Sequence, residues 1–221
     1  SNANLVALQA LELPKGSEVI TCAGGAFPTT VNPIIILGYK PVFVDMTKDL
    51  KINLDEVEKA ITKRTKAIMF AHFLGIMPDM TRLMSIVKKH NLRVIEDVCD
   101  GMGSAQNGIK AGLFGDIATV SFYPAHLMTT GGEGGAIITN DITLYRKAIS
   151  YRDWGRDCHC QWGSEQPACR NRFSNPPFDH RYLYSRIGLN NKMTEFQAAF
   201  GREQLKRVDG FIELRKRNYN I

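Results

Sequence analysis

The chain has 221 residues, 44% of them hydrophobic and 23% charged, which suits one large globular domain with a substantial core. It contains no apolar run of about 18 residues, no signal peptide and only five cysteines, so we expect a cytoplasmic protein rather than a membrane-spanning one or a disulfide scaffold. The net charge of +6 comes from scattered basic residues, which argues against nucleic acid as a partner and is compatible with an anionic small molecule.

Short β-rich runs alternate with helical patterns along most of the chain. Strands are predicted at residues 18–22, 41–44, 67–71, 93–98, 117–122 and 135–139. Helices are predicted at residues 4–13, 29–37, 54–61, 80–90 and 142–154, with Asn53 and Asp79 as caps of two of them. This alternation predicts an α/β layered fold with a mostly parallel sheet.

The two ends of the chain have sequence features of their own. Ser1-Asn2-Ala3 resembles the remnant of a cleaved expression tag, so the domain is expected to start at Asn4. The helical pattern then begins without a capping residue before it, and residues 193–219 predict one long helix. We therefore expect a complete domain to extend beyond residues 4–221 at both ends.

Residues 155–186 lack the periodicity of a helix or a strand. The stretch is rich in Cys, Pro, Asn and Arg, and it contains Cys158, Cys160 and Cys169. A structureless loop of this length is unusual inside a domain, so either the segment moves or a bound metal organises it. The close spacing of Cys158 and Cys160 favours the metal.

Three short segments carry residues that could contact a cofactor. They are residues 96–100 (EDVCD), 121–126 (SFYPAH) and 131–135 (GGEGG). An acidic residue at a strand end can pair with a ring nitrogen, a serine can bind phosphate, and a glycine-rich turn lets the backbone approach a ligand. Taken singly, each segment could equally be a solvated strand end, a cap or a tight turn.

The order and spacing of these segments change that balance. Together with residues 38–45 (GYKPVFVD) and 188–194 (GLNNKMT), they resemble the DegT/DnrJ/StrS family of sugar aminotransferases. The resemblance implies the large domain of a fold-type-I pyridoxal-phosphate enzyme, with three layers and a mostly parallel mixed sheet. It also implies a homodimer, and a large domain that is N-terminally truncated, lacks its C-terminal small domain and has little activity by itself.

The resemblance gives expected roles to five residues. Asp97 matches the carboxylate that keeps the cofactor's pyridine nitrogen protonated, so that the ring accepts electrons. Phe27 matches an aromatic residue that stacks on the ring, and Ser121 matches a hydroxyl that binds the phosphate. Asp100 stands where many relatives have Gln near the ring hydroxyl. Asn190 matches a residue that reaches the phosphate of a neighbouring subunit.

Position 126 departs from the aminotransferase pattern. Those enzymes have a lysine five residues after the serine, and that lysine binds the cofactor covalently; here the residue is His126. An imidazole can transfer protons near neutral pH but cannot form the stable covalent link. The change resembles the 3-dehydratase branch of the family, which uses pyridoxamine phosphate to remove the C3 hydroxyl of a sugar. Leu127 stands where that branch often has a second histidine.

The cysteines separate two kinds of 3-dehydratase. Cys99, Cys158, Cys160 and Cys169 are similar to the ligands of a [2Fe-2S] cluster in one kind, whereas the kind that acts on GDP-4-keto-6-deoxymannose uses no metal. Residues two apart on a strand point the same way, so Cys99 would share a face with Asp97 and place the cluster beside the cofactor. A structural zinc site with the same four cysteines is the alternative.

The resemblance to the iron-sulfur kind also implies a substrate and a partner. The substrate would be a CDP-4-keto-6-deoxyhexose on the way to the 3,6-dideoxyhexoses of lipopolysaccharide O-antigen, and an NADH-dependent flavin iron-sulfur reductase would supply electrons. Three rival interpretations stay open at this point. They are a metal-free GDP-sugar dehydratase, an aminotransferase that uses a displaced lysine, and an inactive family member that acts as a binding protein.

Overall fold

The computed structural model describes residues 1–158, 173 and 178–219. The helices are α1 (Asn2–Ala10), α2 (Pro28–Ile36), α3 (Leu54–Ala60), α4 (Met80–His90), α5 (Ile142–Arg152), α6 (Glu195–Leu205) and α7 (Val208–Tyr219). The strands are β1 (Glu18–Cys22), β2 (Lys40–Val44), β3 (Thr65–Ala71), β4 (Arg93–Asp97), β5 (Ala105–Gln106), β6 (Ile109–Lys110), β7 (Ile117–Ser121) and β8 (Gly135–Ile138). None of the helices in these residues is long and apolar enough to cross a membrane.

Six strands form the central sheet, in the order β2-β1-β3-β4-β7-β8. Neighbouring strands pair in parallel except at one edge, where β8 runs antiparallel to β7. Strands β5 and β6 form a separate small hairpin. The prediction of a mostly parallel mixed sheet is therefore confirmed. Because parallel strands end at a common edge, the residues that follow β4 and β7 lie close together.

Two apolar cores lie on opposite faces of the sheet, which makes three layers. One core packs α3 and α4 against residues such as Ile20, Ile68 and Val94. The other packs α1, α2 and α5 against the alternate strand residues, such as Val19 and Ile95. Because the strands are covered on both faces, adjacent apolar residues in one strand, such as Val19 and Ile20, pack into opposite cores.

The helix termini follow their capping chemistry. The side chain of Asn53 accepts hydrogen bonds from the first-turn amides of α3, and the side chain of Asp79 accepts one from the first turn of α4, as predicted. Thr194 and Gln197 form a capping box at the start of α6.

Two helix predictions need correction. The single helix predicted at residues 193–219 is wrong, because α6 ends at Leu205 and α7 begins at Val208. The break at Lys206 and Arg207 contains neither glycine nor proline, so the helical pattern gave no sign of it. The first helix spans Asn2–Ala10 and thus includes two of the residues that were assigned to a tag remnant.

The predicted loop at residues 155–186 is described in part. Its first residues pair with its last ones, since the amides of Ser185 and Arg186 both donate to the carbonyl of Gly155. Gly155 has φ +84°, and a Cβ there would overlap the carbonyl of Arg186. Cys160 and Cys169, two of the predicted metal ligands, lie outside the described residues.

Candidate functional site

Asp97 ends β4 and is buried at the sheet edge where β4 and β7 finish. Its Oδ2 accepts hydrogen bonds from Nδ2 of Asn4 at 2.7 Å and from Oγ1 of Thr30 at 2.8 Å. Its Oδ1 accepts one from the amide of Cys99 at 3.1 Å. Three donors thus hold the carboxylate in a fixed orientation, and a carboxylate has a further acceptor position for a ligand.

The side chain of Asn4 links this carboxylate to a second strand. Its Oδ1 accepts a hydrogen bond of 2.5 Å from Oγ1 of Thr119 on β7, while its Nδ2 donates to Asp97. No sequence motif had indicated a role for Asn4, Thr30 or Thr119. Asn4 is a polar residue on a mostly apolar helix, α1, and this is the one feature of the sequence that could have drawn attention to it. The feature can be interpreted only when the residues that pack against α1 are known.

His126 follows β7 and pairs with Asp100, which follows β4. The ring Nδ1 of His126 lies 3.1 Å from Oδ1 of Asp100, and Oδ2 of Asp100 accepts a hydrogen bond from the amide of Leu74. Because a carboxylate accepts, Nδ1 is assigned as the protonated nitrogen, and Nε2 is then the nitrogen that can accept a proton. The carbonyl of His126 also accepts a hydrogen bond from Arg215 on α7.

Cys99 lies between these two acidic residues and is buried. Burial raises the pKa of its thiol well above the ordinary value, and the neighbouring charge of Asp97 raises it further. The sulfur, a carboxylate oxygen of Asp100 and a ring nitrogen of His126 all lie within 4.8 Å of one another.

These side chains line one open cavity of about 1870 Å³. The cavity brings together seven residues that the sequence analysis selected: Phe27, Asp97, Cys99, Asp100, Ser121, His126 and Asn190. Cys158 is buried, and it is not among the residues that line the cavity in the described part of the chain. The location of the seven residues in one cavity is an observation, whereas the role of each residue remains a prediction.

Phe27, Ser121 and Asn190 reach the cavity from three different elements of the fold. Phe27 is the N-cap residue of α2, and its ring contacts that of Phe73 at a centroid distance of 6.0 Å. Ser121 ends β7, and its Oγ accepts a hydrogen bond from the amide of Tyr123. Asn190 is exposed and forms a backbone bridge with Asp153, next to the end of α5.

One wall of the cavity carries basic residues around Trp154. The Nζ of Lys192 lies 3.7 Å from the centroid of the Trp154 ring, and the guanidinium of Arg156 lies 5.4 Å from it. Asp153 offsets part of this charge, since Arg152 Nε lies 2.9 Å and Lys192 Nζ 3.9 Å from its carboxylate. A wall of this composition suits an anionic group on a ligand.

A model of the DegT/DnrJ/EryC1/StrS aminotransferase family matches residues 1–221. The chain belongs to this family. It is 47% identical over 235 residues to the lipopolysaccharide biosynthesis protein RfbH of Salmonella typhimurium, with 100% of this chain and 53% of that protein covered. It is 44% identical to the dTDP-4-dehydro-2,6-dideoxy-D-glucose 3-dehydratase of Saccharopolyspora spinosa, with 99% and 50% covered.

Among solved structures, the E. coli GDP-4-keto-6-deoxy-D-mannose-3-dehydratase with bound hydrated PLP superposes with a TM-score of 0.85 at 30% identity, with 99% of this chain and 57% of that chain covered. The family resemblance found in the motifs is confirmed, and the fold is that of the large domain of fold-type-I PLP-dependent enzymes. The chain spans about half the length of the curated relatives it matches.

A buried, hydrogen-bonded pair of side chains joins the ends of two neighbouring strands: His72 directly follows β3, and Glu96 lies on β4. His72 and Glu96 are both fully buried, with Nε2 of His72 2.9 Å from Oε2 of Glu96. The carboxylate also accepts hydrogen bonds from the amides of Gly112, Phe114 and Gly115. Burial alone would raise the pKa of Glu96, but the hydrogen bonds from His72 and the glycine amides lower it overall.

This arrangement predicts a component of stability that acid removes. Because the folded pKa lies below the ordinary value of 4.5, the carboxylate contributes stability above about pH 4.5, and the contribution is lost as the pH falls through the folded pKa. We expect Glu96→Gln to lower the free energy of unfolding by about 3 kcal/mol or more at neutral pH and to flatten the acid branch of the stability curve. Urea denaturation from pH 3 to pH 7 measures both effects. The exposed Glu203→Gln is the control, and an equally steep acid branch in the Glu96 variant would contradict the prediction.

Proposed function

We propose that this chain is the cofactor-binding domain of a pyridoxamine-phosphate-dependent 3-dehydratase that acts on a nucleotide-linked 4-keto-6-deoxy sugar. The observation that carries the proposal is His126. It stands where the aminotransferases of the family have lysine, lines the cavity, and is held by Asp100. The similarity to a protein named as a 3-dehydratase, at 44% identity, supports the same conclusion.

The cavity residues fit pyridoxamine phosphate. When bound, this cofactor supplies a primary amine for the sugar ketone and a ring that accepts electrons. The fixed carboxylate of Asp97 would hold the ring nitrogen protonated, and the ring of Phe27 would cover one face of the cofactor. The hydroxyl of Ser121 would bind the phosphate. Asn190 would reach a phosphate in a neighbouring subunit of a homodimer.

His126 would act as the base. With Nδ1 held by Asp100, the free Nε2 would be the atom that accepts the proton released at the C4′ carbon of the bound cofactor when the C3 hydroxyl is lost. An imidazole can accept and return a proton, and it leaves the cofactor free because it forms no covalent link. The hydrogen bond from the Leu74 amide restrains Asp100 and thereby the orientation of the imidazole.

We further propose a CDP-linked substrate, a [2Fe-2S] cluster held by Cys99, Cys158, Cys160 and Cys169, and an NADH-dependent flavin iron-sulfur reductase as partner. Support comes from the position of Cys99 in the cavity wall, next to the residues that would bind the cofactor. The 47% identity to a lipopolysaccharide biosynthesis protein fits a role in making the dideoxysugars of O-antigen. Only two of the four cysteines lie among the described residues, so the ligand set rests on the sequence motif.

Iron analysis tests this part of the proposal. Serine at Cys99, Cys158, Cys160 or Cys169 is expected to reduce the iron content of anaerobically reconstituted protein from about two atoms per chain to near zero, because a [2Fe-2S] cluster needs all four thiolates. Cys22→Ser is the control, since the thiol of Cys22 is buried in the apolar core and its pKa is raised to about 11. Iron retained in all four single variants would show that the cluster, if present, has other ligands.

A metal-free dehydratase is the second candidate. The structural likeness to a GDP-4-keto-6-deoxy-D-mannose-3-dehydratase favours it, because that protein matches 99% of this chain. The two candidates share His126 and the cofactor site and differ in the four cysteines. Dehydration of a GDP-linked sugar by iron-free protein would select the second candidate.

A further inference from the structure

Three side chains of different donor type meet in the cavity wall. Cys99 and Asp100 follow β4, and His126 belongs to the segment after β7. Their ligand atoms, one sulfur, one oxygen and one nitrogen, lie within 4.8 Å of one another. Within the described residues this is the one group of three or more such side chains, and it is distinct from a set of four cysteines.

The donor types match a divalent ion of the zinc class. A thiolate, an imidazole and a carboxylate are the ligands that Zn²⁺ and Co²⁺ accept in four-coordinate sites, where ligand atoms lie roughly 3.4–3.8 Å apart. Asp100 Oδ1 and His126 Nδ1 are already 3.1 Å apart, and shifts of about 1 Å in the side chains would bring the sulfur into place. The fourth coordination position would face the cavity, as in an open metal site.

The surroundings hold two of these ligands in position. The amide of Leu74 donates to Oδ2 of Asp100, which leaves Oδ1 for an ion, and the amide of Cys99 donates to Asp97. Contacts of this kind orient metal ligands and strengthen binding. Asp97 and Asp100, which stand on either side of Cys99 in the chain, also add negative charge near the site, which favours a cation.

We propose that Cys99, Asp100 and His126 bind one zinc-class divalent ion when Cys99 carries no other metal, and that this ion blocks His126. On binding, the thiol of Cys99 releases its proton to solvent. The ion replaces the hydrogen bond between Asp100 and His126, and the proton of Nδ1 moves to Nε2, which can then no longer accept one. The binding follows from the three side chains alone. The inhibitory consequence rests on the proposed role of His126 as the base.

Co²⁺ is a suitable probe because its absorption spectrum shows whether a thiolate is among its ligands. The test uses the whole chain, reduced and freed of metal, with Cys158, Cys160 and Cys169 all changed to Ser so that no other cysteine cluster can bind. We expect one Co²⁺ per chain by equilibrium dialysis, a thiolate-to-cobalt absorption band in the near ultraviolet, and displacement by Zn²⁺. Adding Cys99→Ser should abolish the band. Adding His126→Asn or Asp100→Asn should weaken binding at least about tenfold.

Matched variants keep the test decisive. Cys22→Ser in the same background should leave the affinity and the spectrum unchanged, and far-ultraviolet circular dichroism checks that each variant is folded. The proposal is overturned if the triple serine protein binds no Co²⁺, or if the absorption band survives Cys99→Ser. The assay contains no cofactor, substrate or iron, so its outcome is independent of whether the chain is a dehydratase. Inhibition by Zn²⁺ is then a separate measurement on active enzyme.

Discussion

Replacing His126 by Asn is expected to slow the proposed C3 dehydration by about 10²–10⁴-fold, the usual contribution of a general base. Asparagine can still hydrogen-bond to Asp100, but it cannot take up a proton at neutral pH. Binding of pyridoxamine phosphate should change little, because Asp97, Phe27 and Ser121 are untouched. The rate of dehydration is measured with the proposed reductase in excess. Binding of pyridoxamine phosphate is measured by isothermal titration calorimetry on the same protein.

Replacing His126 by Lys, the residue found in the aminotransferases of the family, tests whether the histidine is the reason that the cofactor would not be bound covalently. His126→Lys should form a link to pyridoxal phosphate that borohydride reduces, with the cofactor found on the peptide that carries residue 126, and dehydration should be lost. Lys192, which also lines the cavity, is the control site, and Lys192→Met should not prevent the link. If wild-type protein already forms a reducible link at another lysine, the dehydratase assignment fails.

Replacing Gly155 by Ala is expected to lower the free energy of unfolding by about 3–5 kcal/mol, which combines overpacking with the strain of a left-handed backbone. The new methyl group would overlap the carbonyl of Arg186, and the neighbouring atom is backbone that cannot rotate away. The contact lies where residues 151–157 cross residues 183–191, which carry Asn190 to the cavity. Urea denaturation measures the change.

Gly16 is a matched control for Gly155. It has a similar φ of +77°, but nothing lies within 4 Å of the position that a Cβ would take. Gly16→Ala should therefore cost only the conformational strain, about 1–2 kcal/mol. Equal effects of the two substitutions would mean that the crossing at Arg186 relaxes without cost. A larger effect at Gly155, accompanied by weaker cofactor binding, would support the view that this crossing positions Asn190.

The sheet and most of the cavity could be predicted from the sequence. Strand β1 was predicted with its observed ends because Glu18–Cys22 is rich in β-branched residues. Helix α4 was predicted at residues 80–90 because an Asp cap precedes it. Parallel strands end at one edge, and in the structure this brings the segments after β4 and β7 together. The seven residues that line the cavity had been selected from the sequence through the family motif.

Other features depend on packing that periodicity does not encode. The break between α6 and α7 has no glycine or proline to mark it. The contact of Asn4 with Asp97 joins residues 93 positions apart, and the hydrogen bond between His126 and Asp100 joins residues that share no local pattern. A single buried amide on an apolar helix is also compatible with many partners. For such residues the sequence predicts burial at best, and the partner comes only from the tertiary structure.

The hydrogen bonds of Asn4 have a consequence for the order of folding. This side chain forms hydrogen bonds with Asp97, 93 residues away in the chain, and with Thr119, 115 residues away. Such distant contacts form late, because the entropy of closing the intervening chain must be overcome first. During synthesis on the ribosome, α1 emerges before β4 and β7, so Asn4 must wait until both strands have been made. Until β7 has been made, Asn4 lacks the hydrogen bond from Thr119, so the side chain that holds Asp97 is fixed only when both strands are in the sheet.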